Sequence, residues 1–327
     1  SSDKGGSVRV VAGAWTSSRT AILSGLGGRT SEETGHKSVS IAIPSGTIEP
    51  IIRVQAGTFL VEGTGSSKFV NVIIQPSSQT ENLKGFTLKN IRMLQLEQNA
   101  KVEMATEFEV VESNLHFMSL LSSSTLTGRN IFVGVINITM ASSAVIHTNA
   151  RGHGGSSSEP GYGCDYWNSG VSRSRWGGAH GGKGGTGNGN AGHCSSGQTV
   201  YGDKDAPTTM GGGAINVKGG GVVRLDVTGL LIMEGSSRIS ADGGTASDRA
   251  GGAGGSVWIR ANTVDLASDA VLSVKGGDGS IGQHVQSGAW RHYNHAGGGG
   301  GRMLLEIGTA AKNDILSPTI IVSGGIK

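Results

Sequence analysis

The stretch 251–277, GGAGGSVWIRANTVDLASDAVLSVKGG, holds every kind of unit that this chain repeats. It opens on glycines, runs into apolar residues, crosses a short polar interval, and closes a second apolar run on Gly-Gly. The interval is the plainest repeat. An apolar residue, five mostly small or polar residues and a second apolar residue lead from Leu266 to Leu272. The same spacing joins Leu96 to Val102, Leu120 to Leu126, Met140 to Ile146, Met233 to Ile239 and Ile315 to Ile321. The middles read LSSST, ASSAV, EGSSR and ASDAV. Small residues of this kind let the backbone turn tightly while the flanking apolar residues face a core.

The flanking units recur as well. ISADGG (239–244), LSVKGG (272–277) and IVSGG (321–325) end a strand on Gly-Gly, and VIHTNARGHGG (145–155) is a looser copy. GGGVVRLDV (219–227), GGSVWIRAN (254–262) and GGGRMLLEI (299–307) open the next strand, and GGSVRVVAG (5–13) repeats that opening. The first three turn units start at 96, 120 and 140, a separation suited to one coil of a solenoid. Elsewhere short alternating runs dominate: Ser38–Ile43, Ile51–Val61, Phe69–Ile74, Phe132–Met140, Val222–Val227, Val257–Arg260 and Met303–Ile307. Period-two alternation rich in Val, Ile and Phe reads as strand, and no long 3.6-residue period competes with it.

These units cannot bury their apolar faces singly, but coils stacked in parallel can. The expectation is an all-β, right-handed parallel β-helix of roughly a dozen coils, a rod about 50–60 Å long at about 4.8 Å per coil. A sandwich is the alternative, and it calls for hairpin turns between strands. The one Asn-Gly pair, Asn188–Gly189, lies inside a glycine tract. The solenoid divides into N-terminal coils over 1–150, a glycine-rich insertion over 151–221, and C-terminal coils over 222–327 that carry two further glycine-rich loops.

The totals narrow the class. Of 327 residues, 58 are glycine and 6 proline, 36% are hydrophobic and 16% charged. No Gly-X-Y period supports collagen. A net charge of +3 is too small and dispersed for nucleic acid. No apolar run reaches membrane-spanning length. The opening SSDKGG lacks a starting Met and any signal-peptide pattern, which fits a mature or truncated fragment.

Residues 151–301 hold 41 of the glycines, in tracts at about 151–213, 243–255 and 276–301. These tracts are not plain linkers. They also carry Tyr162, Tyr166, Trp167, Trp176, Tyr201, Trp290 and Tyr293, seven of the fifteen aromatics. Glycine admits close backbone approach, and aromatics can lie on that backbone. Two readings stand: an interlocked surface that meets a partner or a glycan, or aromatics folded over their own solenoid. Cys164 and Cys194 flank thirty residues with little core of their own. A disulfide there would stabilise by about 3–4 kcal/mol and implies an oxidising compartment. Two separate thiols are the alternative.

Catalysis and cofactors find little support. His292 and His295 stand three apart and His193 adjoins Cys194, but no carboxylate completes a metal set. Hydrogen bonding to loop carbonyls is the simpler role for these histidines, so no metal and no cofactor is expected. Asp203 and Asp205 form the one close Asp pair, and Asp226, Asp265 and Glu306 occur singly at outward strand positions. A polysaccharide-cleaving β-helix needs acids gathered on one face, so no catalytic residue is assigned. Asn137-Ile-Thr139 is the one N-glycosylation sequon. It sits in FVGVINITM (132–140). Asn137 either carries a glycan or, if it shares a face with Val133 and Val135, forms an inward ladder.

The blocks GGAHGGKGG (177–185), VYGDKDAP (200–207) and MGGGA (210–214), followed by GGGVVRLDV, ISADGG, GGAGGSVWIRA and GGGGGRMLLEI, resemble glycine-rich β-helix proteins of protist cell surfaces. They are similar in particular to those of the tubular flagellar hairs, the mastigonemes, of flagellated algae. The resemblance covers about 150–307. It implies an extracellular filament shaft on a cell surface or flagellar appendage, built by self-assembly with other shaft proteins or glycans as further partners. An end reading IIVSGGIK and a start reading GGSVRV point to head-to-tail stacking, because open β edges recruit further strands. A carbohydrate-binding or adhesive module is the second reading, and a polysaccharide-degrading enzyme the third.

Overall fold

The computed structural model describes residues 115–168, 172–186, 199–245, 247, 249–286, 289–308 and 318–326, and before residue 115 the strands given below with the turn at 98–100. Among these residues there is no helix, and so none long and apolar enough to cross a membrane.

The strands gather into three parallel stacks. The first runs β1 (Ser7–Val11), β3 (Ser38–Ile43), β5 (Thr58–Gly63), β8 (Phe86–Lys89), β11 (Glu107–Val110), β14 (Asn130–Val135), the first half of β19 (Val222–Met233), the first half of β21 (Ser256–Leu266) and β25 (Arg302–Ile307). The second runs β2 (Thr20–Ser24), β4 (Ile51–Gln55), β6 (Val70–Ile74), β9 (Ile91–Leu96), β12 (Phe117–Leu120), β15 (Asn137–Met140) and the second halves of β19 and β21. The third runs β7 (Glu81–Leu83), β10 (Lys101–Met104), β13 (Thr125–Thr127), β16 (Val145–His147), β20 (Arg238–Ser240), β22 (Val271–Ser273) and β26 (Thr319–Ile321). From β5 to β22 the parallel strands visit first, second and third stack in unvarying order. An all-β, parallel arrangement of this kind is compatible with a β-helix.

The turn unit is the joint between the second and third stacks. Leu120 pairs with Leu96 and Met140, Met140 with Met233, and Met233 with Leu266. Across the turn, Val102 pairs with Leu126, then Ile146, Ile239 and Leu272 follow in one column. The inward residues of both columns whose side chains are described are buried up to Leu272. Each turn closes on itself: Ser124 N–H donates to the Leu121 carbonyl at 3.0 Å and Ala144 N–H to that of Ala141 at 3.0 Å. Each also bonds its neighbour, Ala141 N–H to the Leu120 carbonyl at 2.8 Å and Val145 N–H to that of Ser124 at 2.8 Å. Asn99, Ser123, Ser143 and Ser236 take φ of 62°, 60°, 63° and 57° at the turn tip. That left-handed region disfavours bulky or branched residues, which is why small polar ones fill the middles.

Three details depart from the sequence reading. The run Ile51–Val61 is two strands in different stacks, β4 and β5, and Phe132–Met140 is likewise split into β14 and β15. Ile320, not Ile321, stands in register with Leu272, so the last turn unit ends one residue earlier than its isoleucines suggested; Ile315 lies outside the described residues. Among the described residues the first stack has nine strands where the sequence suggested roughly a dozen coils, the glycine-rich segments lengthening the chain without adding a strand to that stack.

Asn137 stands at the corner between the first two stacks. Val133 and Val135 are buried before it, Ile138 and Met140 after it. The inward parity shifts by one residue at the corner, so Asn137 does not join an inward ladder. Its Oδ1 instead accepts the Leu230 N–H of the next layer at 2.9 Å. There β19 carries a bulge between Val227 and Leu230. Gly229 is required in that bulge, since a Cβ would meet Asn137 Oδ1 and the Ile136 carbonyl.

Candidate functional site

The glycine tracts form a layer of their own. Segments around 177–185, 211–214, 219–221, 243–244, 250–255, 276–279, 296–301 and 323–325 lie side by side and bond through backbone N–H and C=O groups. Segment 251–255 shows the rule. Gly251 and Gly254 donate to Ala296 and Gly299 on one neighbour, Gly252 and Gly255 to Gly244 and Ala241 on a second, and Ala253 to Gly212 on a third. Likewise Gly276 and Gly279 donate to Ser323 and Ile326, with Gly277 turned to Gly252. Donors returning to the same neighbour every third residue have the period of polyproline II backbone, not the period two of a strand. Each segment therefore bonds neighbours in several directions rather than two.

That lattice demands glycine. A Cβ on Gly178 would fall on the Gly212 carbonyl, one on Gly298 on the Gly252 carbonyl, and one on Gly251 on the Gly277 carbonyl. Much of the layer is buried, with Gly177, Gly178, Gly211–Gly213, Gly251–Gly255 and Gly297–Gly299 all shielded and 323–325 at its open side. So these tracts are in large part an interior layer, where sequence reasoning placed a loop surface.

One histidine holds several segments together. His180, fully buried, places Nδ1 2.8 Å from the Gly254 carbonyl and Nε2 2.8 Å from Thr209 Oγ1. The Tyr201 ring lies 4.9 Å from its imidazole, the Tyr201 hydroxyl donates to the Met210 carbonyl at 2.5 Å, and Arg302 Nε donates to the Tyr201 carbonyl at 2.9 Å. Ser256 Oγ donates to the Thr209 carbonyl at 2.6 Å. Burial lowers the His180 pKa to about 4, with Arg302 adding to the effect, so the ring is neutral at pH 7. Burial also pushes the Tyr201 phenol up. The motif residues His180, Tyr201 and Gly211–Gly213 thus meet in one place, where they cross-brace the glycine layer and abut the strand openings at Ser256 and Arg302.

The remaining residues scatter. Trp176 is 3% exposed and packs into its own chain. Tyr162 is half-buried. Tyr166 and Trp167 lie on β17 (Asp165–Asn168) and Trp290 and Tyr293 on β24 (Ala289–Asn294), with side chains outside the described ones. Those strands make antiparallel hairpins with β18 (Ser172–Arg175) and β23 (Ile281–Gln286), which sequence reasoning missed because their alternation is polar. The Cys164 carbonyl accepts the Trp176 N–H at 3.1 Å, while Cys194 and His193 lie outside the described residues. His295 is buried. Among the described residues no three His, Cys, Asp or Glu could hold a metal together.

The acids are occupied structurally. Asp203 Oδ1 accepts the Asp205 N–H at 2.8 Å, and Lys204 pairs with Asp205, both exposed. Asp226 and Glu306 belong to a ladder on the outer face of the first stack. Trp258 Nε1 donates to Glu306 at 2.8 Å, Arg260 Nε to the same carboxylate at 2.9 Å, and the Arg224 guanidinium lies 4.3 Å over the indole. The Trp258 N–H, then the guanidinium of Arg260, hold the Glu306 carboxyl below its ordinary range. Arg224 and Trp258 stand in register across β19 and β21, one place away from where GGGVVRLDV and GGSVWIRAN aligned on their first glycines would set them.

Among the described residues the layer of β25 and β26 pairs on one side only within the stacks. Ile320 is 53% exposed although it continues a column in which Leu272 is fully buried, and Val322 and Ile326 are 52% and 69% exposed. No protein-family model, no curated protein and no solved structure matches this chain.

Proposed function

We propose that the chain is a right-handed parallel β-helix that serves as a structural, non-catalytic subunit of an extracellular fibre, of the kind its motifs resemble in mastigonemes. The observation that carries this reading is the repetition of one pattern through parallel strands stacked in register, from β1 to β21 and β25. Among the described residues the layer of β25 and β26 pairs on one side within the stacks, and Ile320 there is half exposed in a column otherwise buried. Such a layer accepts another of the same pattern. A second copy can supply it, since SVRVV of β1 repeats the pattern of β21 and β25. Head-to-tail contacts that do not close generate filaments. A Cys164–Cys194 disulfide, an oxidising extracellular location and glycan on Asn137 belong to the same reading.

Electron microscopy of the purified chain tests it. Filaments should form and lengthen with concentration, and Ile320→Lys with Val322→Lys should abolish them while leaving the melting temperature of the monomer within about 2 °C, because exposed positions contribute little to the fold. Monomers at every concentration, or filaments indifferent to both substitutions, would contradict the reading.

A further inference from the structure

Two hairpins 106 residues apart in sequence are neighbours in space. Strands β18 and β24 lie against each other, which brings β17–β18 and β23–β24 into one cluster. Both hairpins are rooted in the glycine layer. At the first, Gly163 N–H bonds the Gly213 carbonyl at 2.8 Å and Trp176 N–H closes on Cys164. At the second, His295 N–H closes on the Ser280 carbonyl at 2.8 Å. Hairpins fixed at the base need little further ordering when a ligand binds.

Their composition is unlike the rest of the chain. The four strands read DYWN, SRSR, IGQHVQ and AWRHYN. They hold four aromatics, three arginines and two histidines against a single acid, Asp165. Branched aliphatics are confined to Ile281 and Val285, while Asn, Gln and Ser fill much of the remainder. Register orders them further. Trp167 stands opposite Arg173 and Asp165 opposite Arg175 on one face of the first hairpin. In the second, His284 stands opposite Arg291 and Gly282 opposite Tyr293 on one face, with Trp290 opposite Val285 on the other.

We infer that this hairpin pair is a binding site for a carboxylate-bearing polysaccharide. Aromatic rings offer apolar faces to the C–H faces of sugar rings. Arginine forks take carboxylates through two parallel hydrogen bonds. Amide and hydroxyl side chains suit a ligand dense in hydroxyls. Tyr, Trp and Arg also serve protein interfaces, so a protein partner is an outcome of the test, while the many amides and hydroxyls and the two lone branched aliphatics favour a sugar. The inference is independent of end-to-end assembly, since no residue of the final layer takes part.

Calorimetric titration of the intact chain with alginate fragments, a sulfated galactan and dextran tests the site. Alginate should bind, dextran should not, and affinity should fall about tenfold from about 0.05 to about 0.5 M salt as charge pairing is screened. Trp167→Ala and Tyr293→Ala, which share faces with Arg173 and Arg291, should each weaken binding about tenfold. Arg173→Ser and Arg291→Ser should weaken it and flatten the salt dependence, with unchanged circular dichroism, while Lys204→Ser in the loop at 203–205 should bind as the parent does. These polar replacements keep the test decisive should an aromatic variant fail to fold. No alginate binding, preference for the sulfated galactan, capture of a protein instead, or binding that survives the aromatic and Arg changes would overturn the inference.

Discussion

Inside the glycine layer the His180 imidazole stays neutral down to about pH 4, whereas in the unfolded chain it takes up a proton below about pH 6.5. Above about pH 6.5 neither state binds that proton and His180 adds no pH dependence. Between about 6.5 and 4 the unfolded chain is the better proton acceptor, so stability falls as pH falls. Below about 4 the loss levels off at on the order of 3 kcal/mol. His180→Gln retains hydrogen-bonding capacity and removes the titration. Urea midpoints measured at about pH 7.5 and about pH 4.5 should therefore converge, the parent losing more than the variant. Parallel losses would show that His180 is not what senses acid. The sequence placed this histidine in the block GGAHGGKGG but not its role, because the partners Gly254, Thr209 and Arg302 lie far along the chain.

At the scale of elements, the turn unit and the glycine segment follow opposite rules of legibility. Turn units declare themselves, since a fixed spacing and a left-handed tip restrict the middle residues to small ones, and Leu96, Leu120, Met140, Met233 and Leu266 fall into one column as expected. Corners do not, because an unbroken alternation such as FVGVINITM hides the parity shift at Asn137. In ILSPTII, two adjacent isoleucines fit either register, and a one-residue slip reverses the face. Glycine tracts say only that backbones come close. Their three-residue bonding period has no side chain to mark it, so a buried layer read as loop. That layer predicts a sharp contrast between two glycines of one insertion. Gly178→Ala drives a Cβ onto the Gly212 carbonyl, whereas the nearest atom to a Cβ on Gly154 is Glu159 Oε2 at 3.8 Å. Gly178→Ala should cost about 3 kcal/mol or prevent folding, and Gly154→Ala should change stability by less than about 0.5 kcal/mol. Thermal melts check both, and equal effects would show that the layer is not close-packed.

Across the whole molecule, three parallel stacks and one glycine layer share their hydrogen bonds. Gly255 N–H bonds Ala241 and Ser256 N–H bonds Gly221, so the layer passes directly into the strands of the first stack. Apolar columns lie inside, an Arg–Trp–Glu ladder outside, and the glycine layer joins them through its backbone. Diffraction from an aligned fibre of the assembled chain measures the direction of that stacking most directly. Coils that pile along the rod place the inter-strand repeat of about 4.8 Å on the fibre axis. A repeat of that size perpendicular to the axis, or strands running along the fibre, would contradict the stacking on which the account stands.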